Sequence, residues 1–208
     1  MTNVLIIDSA ATGDASVSRR LTAELEAILR GRGPVRIVHR DVGTHPIPHL
    51  TAETTPAIRG ADARTDAARG AIALSDELIA ELKAADLVVI GAPMYNFGIA
   101  STLKAWFDHV LRAGITFRYS EAGPEGLLKG RKTIVVESRG GLYSSGPSAP
   151  MDSQEPHLGT LLGFIGLDDV TFVRAEKLGF GPEQAAASIA EAIDQLRSLA
   201  VDELPLAA

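Results

Sequence analysis

The sequence contains no cysteine among its 208 residues. This absence excludes disulfide bridges, thiolate metal sites and a cysteine nucleophile, and it is compatible with a reducing compartment. Strand-forming residues begin at Val4, which leaves no room for a cleavable signal. No apolar run approaches the roughly 20 residues that a membrane span needs. We therefore expect a cytoplasmic protein that does not act in a membrane.

Basic clusters and several common motifs are also absent. The formal net charge is -6, and Lys and Arg form no long stripe, so we do not expect a nucleic-acid partner. No GxxxxGK(S/T) loop, no GxSxG elbow and no GxGxxG after the first strand are present, which argues against triphosphate, hydrolase and Rossmann dinucleotide sites. His45 and His49 lie in a Pro-rich segment where ligation from one helix face is impossible, so we predict no metal site.

What the sequence does contain is a regular alternation of short β-branched runs and helix-period segments. Strands are predicted at 4–7, 35–39, 87–90, 133–136 and 170–173, with helices between them, including one at 72–83 and one capped by Ser101. This pattern predicts one α/β domain over residues 1–208. Its expected architecture is a flavodoxin-like, doubly wound, five-stranded parallel sheet in the order 2-1-3-4-5 with helices on both faces. The connections 41–65 and 113–131 are predicted to be irregular, the former as part of a pocket wall.

In that strand order, three loops meet at the carboxyl ends of neighbouring strands, where open parallel sheets bind ligands. The first loop, residues 9–18, offers the hydroxyls of Ser9, Ser16 and Ser18 beside a helix start, which suits a monophosphate. Simple helix capping by Ser16 or Ser18 explains the same residues equally well. The other two loops are 94–97 and 138–141.

The second and third loops favour a planar ligand. Large side chains follow the buried third strand, at Met94, Tyr95, Asn96 and Phe97. They suit an aromatic ring such as a flavin, although packing at the top of the sheet would also explain them. Gly140 and Gly141 would let the backbone approach a ring closely, with Ser138 and Arg139 as donors beside it; a plain turn is the alternative.

Five motifs spread along the chain resemble those of the FMN-dependent NADH azoreductases, a family that also reduces quinones. They are Pro93-Met94-Tyr95-Asn96-Phe97, Ser138-Arg139-Gly140-Gly141, and the segments 114–119, 123–128 and 162–166. The resemblance extends over nearly the whole chain. It implies a homodimer with noncovalently bound FMN at the subunit interface.

The resemblance also implies a set of site residues. The phosphate side would be held by Ser9, Ser16, Val17 and Ser18; the ring and ribityl region by Pro93, Met94, Tyr95, Asn96 and Phe97; and the ring edge by Ser138, Arg139, Gly140 and Gly141. Tyr119 and Phe164 match aromatic positions that line the substrate pocket. Related sequences often carry Pro and Arg where this chain has Ala10 and Ala11, so its phosphate site would depend on hydroxyls and backbone N–H groups.

The function that we expect from the resemblance is two-electron reduction of quinones and aromatic azo compounds. NADH or NADPH would give a hydride to flavin N5 in a ping-pong reaction, and no catalytic side chain or metal would be needed. Two alternatives remain open from the residues alone. One is an FMN electron carrier of the flavodoxin type without substrate turnover, and the other is a flavin-free binding or regulatory domain.

Overall fold

The computed structural model describes residues 1–202 and is organised around a five-stranded parallel sheet in the order β2-β1-β3-β6-β7. The strands of this sheet are β1 Thr2–Asp8, β2 Val35–Asp41, β3 Leu87–Pro93, β6 Lys132–Ser138 and β7 Asp169–Ala175. Strands β4 and β5 form a separate hairpin outside this sheet, so β6 and β7 are the fourth and fifth strands of the sheet. The observed order is therefore the predicted order 2-1-3-4-5, and the flavodoxin-like prediction is confirmed. The predicted domain runs to residue 208, and its residues 203–208 lie outside the described part.

Helices cover both faces of the sheet, as predicted. They are α1 Val17–Arg32, α2 Thr55–Ile58, α3 Asp66–Ala84, α4 Ser101–Val110, α5 Glu155–Ile165 and α6 Pro182–Asp202. Leu21 of α1 and Leu196 of α6 belong to the core on one face, whereas Leu78 of α3, Trp106 of α4 and Leu162 of α5 belong to the core on the other. Each such buried side chain contributes about 1.5–3 kcal/mol through removal of apolar surface from water.

The central strand β3 shows why its sequence is a continuous apolar run. All seven of its residues are buried. Val88 and Ile90 point into the core under α3 and α4, and Leu87 and Val89 point into the core under α1 and α6. Because side chains alternate across a strand, a strand covered on both faces needs apolar residues at every position. The carboxyl end of β3 therefore lies between two rigid cores.

The connection 113–131 is not irregular, contrary to the prediction. It contains an antiparallel hairpin of β4 Phe117–Ser120 and β5 Gly123–Gly126. The residues of β5, Gly-Pro-Glu-Gly, lack any strand pattern, and tertiary packing stabilises the hairpin instead. Gly126 lies so close to α5 that a Cβ on it would be 2.1 Å from the backbone nitrogen of Gly166. Local propensity gives no sign of such a contact.

Two helix starts also differ from the predictions. Ser101 does not cap α4; it is the first helical residue, and Ala100 precedes it without a side-chain cap. The helix predicted at 72–83 begins earlier, at Asp66, where the Thr65 hydroxyl accepts a 3.1 Å hydrogen bond from the Ala68 N–H. Its first turn carries no large apolar residue, so the periodicity alone could not locate it. None of the helices within residues 1–202 combines the length and apolarity that crossing a membrane requires.

Candidate functional site

The three predicted loops are in direct contact at the carboxyl edge of the sheet. The Ala11 N–H donates a 3.0 Å hydrogen bond to the phenolic oxygen of Tyr95, which joins the first loop to the second. The Met94 N–H donates to the Ser138 carbonyl over 2.9 Å, which joins the second to the third. Residues that are far apart in sequence therefore line one crevice, as the strand order predicted.

The serines of the first loop are buried and already use part of their hydrogen-bonding capacity. The Ser9 hydroxyl donates to the Gly91 carbonyl over 2.7 Å. Ser16 caps α1 by accepting a 3.4 Å bond from the Arg19 N–H, so the capping interpretation is correct for Ser16. Its hydroxyl oxygen is also 3.0 Å from that of Ser18. Since a hydroxyl pair needs only one proton for its mutual bond, one proton of this pair is available to a ligand.

Backbone N–H groups without a protein acceptor recur in all three loops. Seven backbone N–H groups have no hydrogen-bond acceptor within residues 1–202. They belong to Val17 and Ser18 in the first loop, Asn96 and Phe97 in the second, and Gly140, Gly141 and the adjoining Leu142 in the third. Backbone donors are normally paired with protein, water or ligand. The pair at the start of α1 also sits at the positive end of the helix dipole. The crevice is therefore lined by donors that suit an anion and the polar edge of a ring.

The second loop is a strained turn. Tyr95 and Gly98 exchange backbone hydrogen bonds of 3.0 and 3.1 Å, and the two residues between them have positive φ values, 47° at Asn96 and 71° at Phe97. Positive φ at both central positions is the type I′ pattern, in which Asn is common and Phe is rare. A residue other than Gly in this region costs about 1–3 kcal/mol, and such strain clusters at functional sites. Phe97 is 41% exposed at the crevice.

The last three carbonyl groups of the third loop are held by the protein. The carbonyls of Arg139, Gly140 and Gly141 accept hydrogen bonds from the segment that follows β7, with the N–H groups of Leu178, Gly179 and Lys177 as donors at 3.2, 2.9 and 2.8 Å, respectively. A Cβ built on Gly140 meets nothing within 4 Å. The carbonyls thus point into the protein, and open space adjoins the glycine backbone, as a ligand that approaches the chain closely requires.

Arg139 does not present its side chain to the crevice, contrary to the prediction that it adds a donor beside the ring. Its guanidinium is fully buried. The side chains around it are those of Glu137, Asp152, Gln154, Glu155 and Glu176. Burial raises the pKa of Glu137 to about 8, although its 2.6 Å contact with Arg139 opposes that rise. The backbone of Arg139 is also engaged, because its N–H donates to the Ala175 carbonyl over 2.8 Å and its carbonyl accepts from Leu178.

Tyr143 is a site residue that the sequence reasoning missed. Its ring meets Phe97 edge-on, with ring centroids 6.0 Å apart. The same ring lies over Gly141, where an added Cβ would be 2.9 Å from the Cε2 atom of Tyr143. Its N–H donates to Glu176 over 2.8 Å. The predicted ring-edge segment ended at Gly141. An aromatic residue only two positions later could have indicated that the site continues to Tyr143.

Tyr119 and Phe164 lie together, but away from the three loops. Phe117 contacts both rings, at centroid distances of 5.6 Å to Tyr119 and 4.5 Å to Phe164. They line a cavity of about 350 Å³ whose other walls include Leu50, Ile58 and Arg59, so the 41–65 connection does line a pocket. The start of α5 contacts the second loop, because the Ser153 N–H donates to the Phe97 carbonyl over 3.0 Å. Phe164 is near the other end of this helix, about 15 Å along its axis.

The donor set of the crevice fits FMN. The helix start and the Ser16–Ser18 pair can hold a phosphate, the aromatic turn can face a flat ring, and the glycine N–H groups can meet the polar edge of that ring. A guanidinium or ammonium group is not needed for this arrangement. Within residues 1–202, no group of three or more His, Asp and Glu side chains could hold a metal ion.

Comparisons with known proteins find relatives in sequence and in fold. A family model described as having a flavodoxin-like fold matches residues 2–200. An FMN-dependent NADH:quinone oxidoreductase of Hyphomonas neptunium is 55% identical over 201 residues, with 96% of each chain covered. Among solved structures, an azoreductase from Bacillus anthracis has a TM-score of 0.87 and 27% identity, covering 96% of this chain and 99% of its own. An FMN-dependent NADH-azoreductase from the same species, crystallised with FMN, has a TM-score of 0.85 and 25% identity, covering 96% of this chain and all of its own.

Proposed function

The chain belongs to the flavodoxin-like family that includes FMN-dependent NADH:quinone oxidoreductases, and from this premise we propose that it is an FMN-dependent NAD(P)H oxidoreductase that reduces quinones and aromatic azo compounds. The observation that carries the proposal is the set of backbone N–H groups in all three loops that have no acceptor among residues 1–202. When bound, FMN supplies the chemistry, because it accepts a hydride from the nicotinamide and passes two electrons to the acceptor.

The first loop is proposed to bind the phosphate. The N–H groups of Val17 and Ser18 would donate to its oxygens at the positive end of α1, together with the free proton of the Ser16–Ser18 pair. The Ser9 hydroxyl donates to the Gly91 carbonyl. It would aid phosphate binding either by holding the loop in shape or by donating to the phosphate instead of to Gly91. With Ala10 and Ala11 in place of side chains that could donate, the backbone would carry most of this interaction.

The second and third loops are proposed to hold the ring. The segment from Pro93 to Phe97 would contact the ring and the ribityl chain, and the segment from Ser138 to Gly141 would meet the polar edge. N–H groups at Gly140 and Gly141 would stabilise negative charge that develops at that edge, and they are already held in place by the segment that follows β7. No side-chain acid, base or nucleophile is required of the chain.

We also propose a homodimer with the site at its interface. Within one chain, the Tyr119–Phe164 pair lies near the far end of α5 from the second loop. Tyr119 is 73% exposed, so a partner subunit that covered it would remove apolar surface from water. Tyr119 and Phe164 of the partner subunit would then line the substrate pocket over the ring. A cytoplasmic location stays a prediction, supported by the absence of cysteine.

Steady-state kinetics test the proposal. Protein reconstituted with FMN should oxidise NADH or NADPH when menadione or methyl red is present, and double-reciprocal plots at several acceptor concentrations should be parallel. Light scattering on the same sample should give the mass of a dimer. Bound FMN without turnover would instead identify an electron carrier, and failure to bind FMN would identify a flavin-free domain.

A further inference from the structure

Two of the three loops are connected through a buried side chain that the proposed chemistry does not use. Gln154, at the start of α5, is fully buried. Its Nε2 donates to the Ala92 carbonyl in β3 over 2.8 Å, and its Oε1 accepts a 3.1 Å bond from Nε of Arg139. The next residue back, Ser153, donates its N–H to the Phe97 carbonyl over 3.0 Å. One short segment thus contacts the strand end, the strained turn and Arg139.

The guanidinium of Arg139 carries this connection to the third loop. The guanidinium makes four hydrogen bonds and, through Nη1, a further ion-pair contact with Asp152. Besides Nε, the contacts are Nη2 to Glu137 at 2.6 Å and Glu155 at 3.4 Å, and Nη1 to Asp152 at 3.1 Å and Glu176 at 3.3 Å. Four hydrogen bonds to side chains from separate segments confine the orientation of this planar group, which a flexible Lys could not reproduce.

Glu176 completes the connection. Its Oε1 accepts the N–H groups of Tyr143 and Ser144 at 2.8 and 3.0 Å as well as the Arg139 contact. These hydrogen bonds outweigh the effect of burial, so the pKa of Glu176 is lower than its usual value and the group stays ionised. The segment 140–144 is therefore bound to the same guanidinium that binds Gln154.

Stability alone does not explain such a cluster. Replacing a buried ion pair by packed apolar residues is often neutral or stabilising, so buried charges are weak evidence for a role in folding energy. Their directional contacts instead define one arrangement of the groups around them. Here those groups belong to the turn at Tyr95–Gly98 and to the segment 140–144, both of which have N–H groups without an acceptor in the described part of the chain.

We propose that Arg139 and Gln154 form a buried brace that sets the spacing between the Tyr95–Gly98 turn and the 140–144 segment. Both are positioning residues: they act through the loops and do not touch the ring. The proposal rests on the proposed function, because the spacing matters for the ring that the two loops hold. It predicts that loss of the brace loosens both loops together.

The test compares Gln154→Met and Arg139→Met with Arg131→Met. Arg131 is a matched control because its guanidinium also connects separate segments, donating to the carbonyls of Leu82, Lys83 and Lys129 at the opposite end of β6. Both brace variants should weaken FMN binding about tenfold or more, because Gln154→Met removes two buried hydrogen bonds and Arg139→Met removes four. Arg131→Met should leave FMN binding unchanged. Arg139→Lys keeps the charge without the fork and should not restore binding.

Hydrogen exchange on the FMN-free protein separates the brace from the proposed function. In Gln154→Met, peptides covering 94–98 and 139–144 should both exchange faster than in wild type, and the Arg131→Met protein should show neither change. If wild-type protein does not bind FMN, the proposed function fails and exchange alone decides on the brace. Unchanged exchange in both peptides, or full binding by Arg139→Lys, would overturn the brace. Gln154→Met removes only one contact of the guanidinium, so this variant still tests the brace if Arg139→Met does not fold.

Discussion

The phenolic oxygen of Tyr95 accepts a 3.0 Å hydrogen bond from the backbone N–H of Ala11, across 84 residues of sequence. This contact joins the loop proposed for the phosphate to the turn proposed for the ring. Tyr95→Phe removes only the acceptor, so the fold should persist while the Ala11 N–H loses its partner. We expect FMN to bind about three- to tenfold more weakly, because one neutral hydrogen bond contributes about 0.5–1.5 kcal/mol. Fluorescence quenching of FMN measures this; equal affinities would show that the contact is incidental.

Substitutions at Asn96 can distinguish the effect of the backbone conformation of the turn from the effect of the amide side chain. At φ 47° a glycine is unstrained and a β-branched residue is strongly disfavoured. Asn96→Gly should retain the turn and most FMN affinity, whereas Asn96→Val should lower both FMN affinity and the free energy of unfolding, the latter by about 1–3 kcal/mol. Urea unfolding and FMN titration of the two variants check this. If Asn96→Gly loses more FMN affinity than Asn96→Val, the amide side chain and not the backbone conformation is what FMN binding needs.

Gly126 should be intolerant of even one added methyl group. A Cβ there would lie 2.1 Å from the backbone nitrogen of Gly166, so the hairpin must move away from α5. We expect Gly126→Ala to lower the free energy of unfolding by about 2 kcal/mol or more. Gly70 is the control: it lies inside α3, and a Cβ there meets nothing within 4 Å. Gly70→Ala should raise the free energy of unfolding by about 0.5–1 kcal/mol. Thermal unfolding of both variants tests the contrast.

Glu137 should make the protein less stable as the pH rises. Its pKa is raised from 4.5 to about 8 by burial. Below the lower value both folded and unfolded chains carry the proton; between the two values only the unfolded chain ionises, so stability is progressively lost up to about pH 8. The loss attributable to this group is on the order of a few kcal/mol.

Glu137→Gln keeps the shape of the side chain and cannot ionise. Wild type and variant should have similar free energies of unfolding at about pH 5. As the pH is raised to about 9, the free energy of unfolding of wild type should fall below that of the variant. Urea unfolding across this range measures the difference. Parallel pH profiles for the two proteins would mean that Glu137 is already ionised beside Arg139 at neutral pH.

The sheet and the three loops were predictable because their signals are local. A run such as Leu87 to Ile90, followed by Gly and Pro, indicates a doubly covered strand, and strand order then brings the carboxyl ends together. The hairpin strand Gly123–Gly126 was not predictable, since its residues lack a strand pattern and Gly126 packs against Gly166, which is distant in sequence. Long-range packing of this kind has no signature in a single sequence.

The direction of a side chain was equally beyond the sequence. Arg139 follows a buried strand, and the local sequence does not show whether its guanidinium faces the crevice or the interior. The acidic side chains that surround it, Glu137, Glu155 and Glu176 among them, come from three separate segments and meet only in the folded chain. The phosphate, ring and ring-edge assignments of the other predicted residues stay predictions that FMN binding will test.

The central claim is that this chain binds FMN in the crevice between its three loops and passes electrons from a nicotinamide to a small acceptor. The most direct measurement is the absorbance spectrum of protein incubated with FMN, freed of excess by gel filtration and then mixed with NADH under anaerobic conditions. We predict a yellow protein with one FMN per chain that NADH bleaches and menadione recolours. A colourless protein, or a yellow one whose spectrum neither NADH nor NADPH changes, would contradict the account.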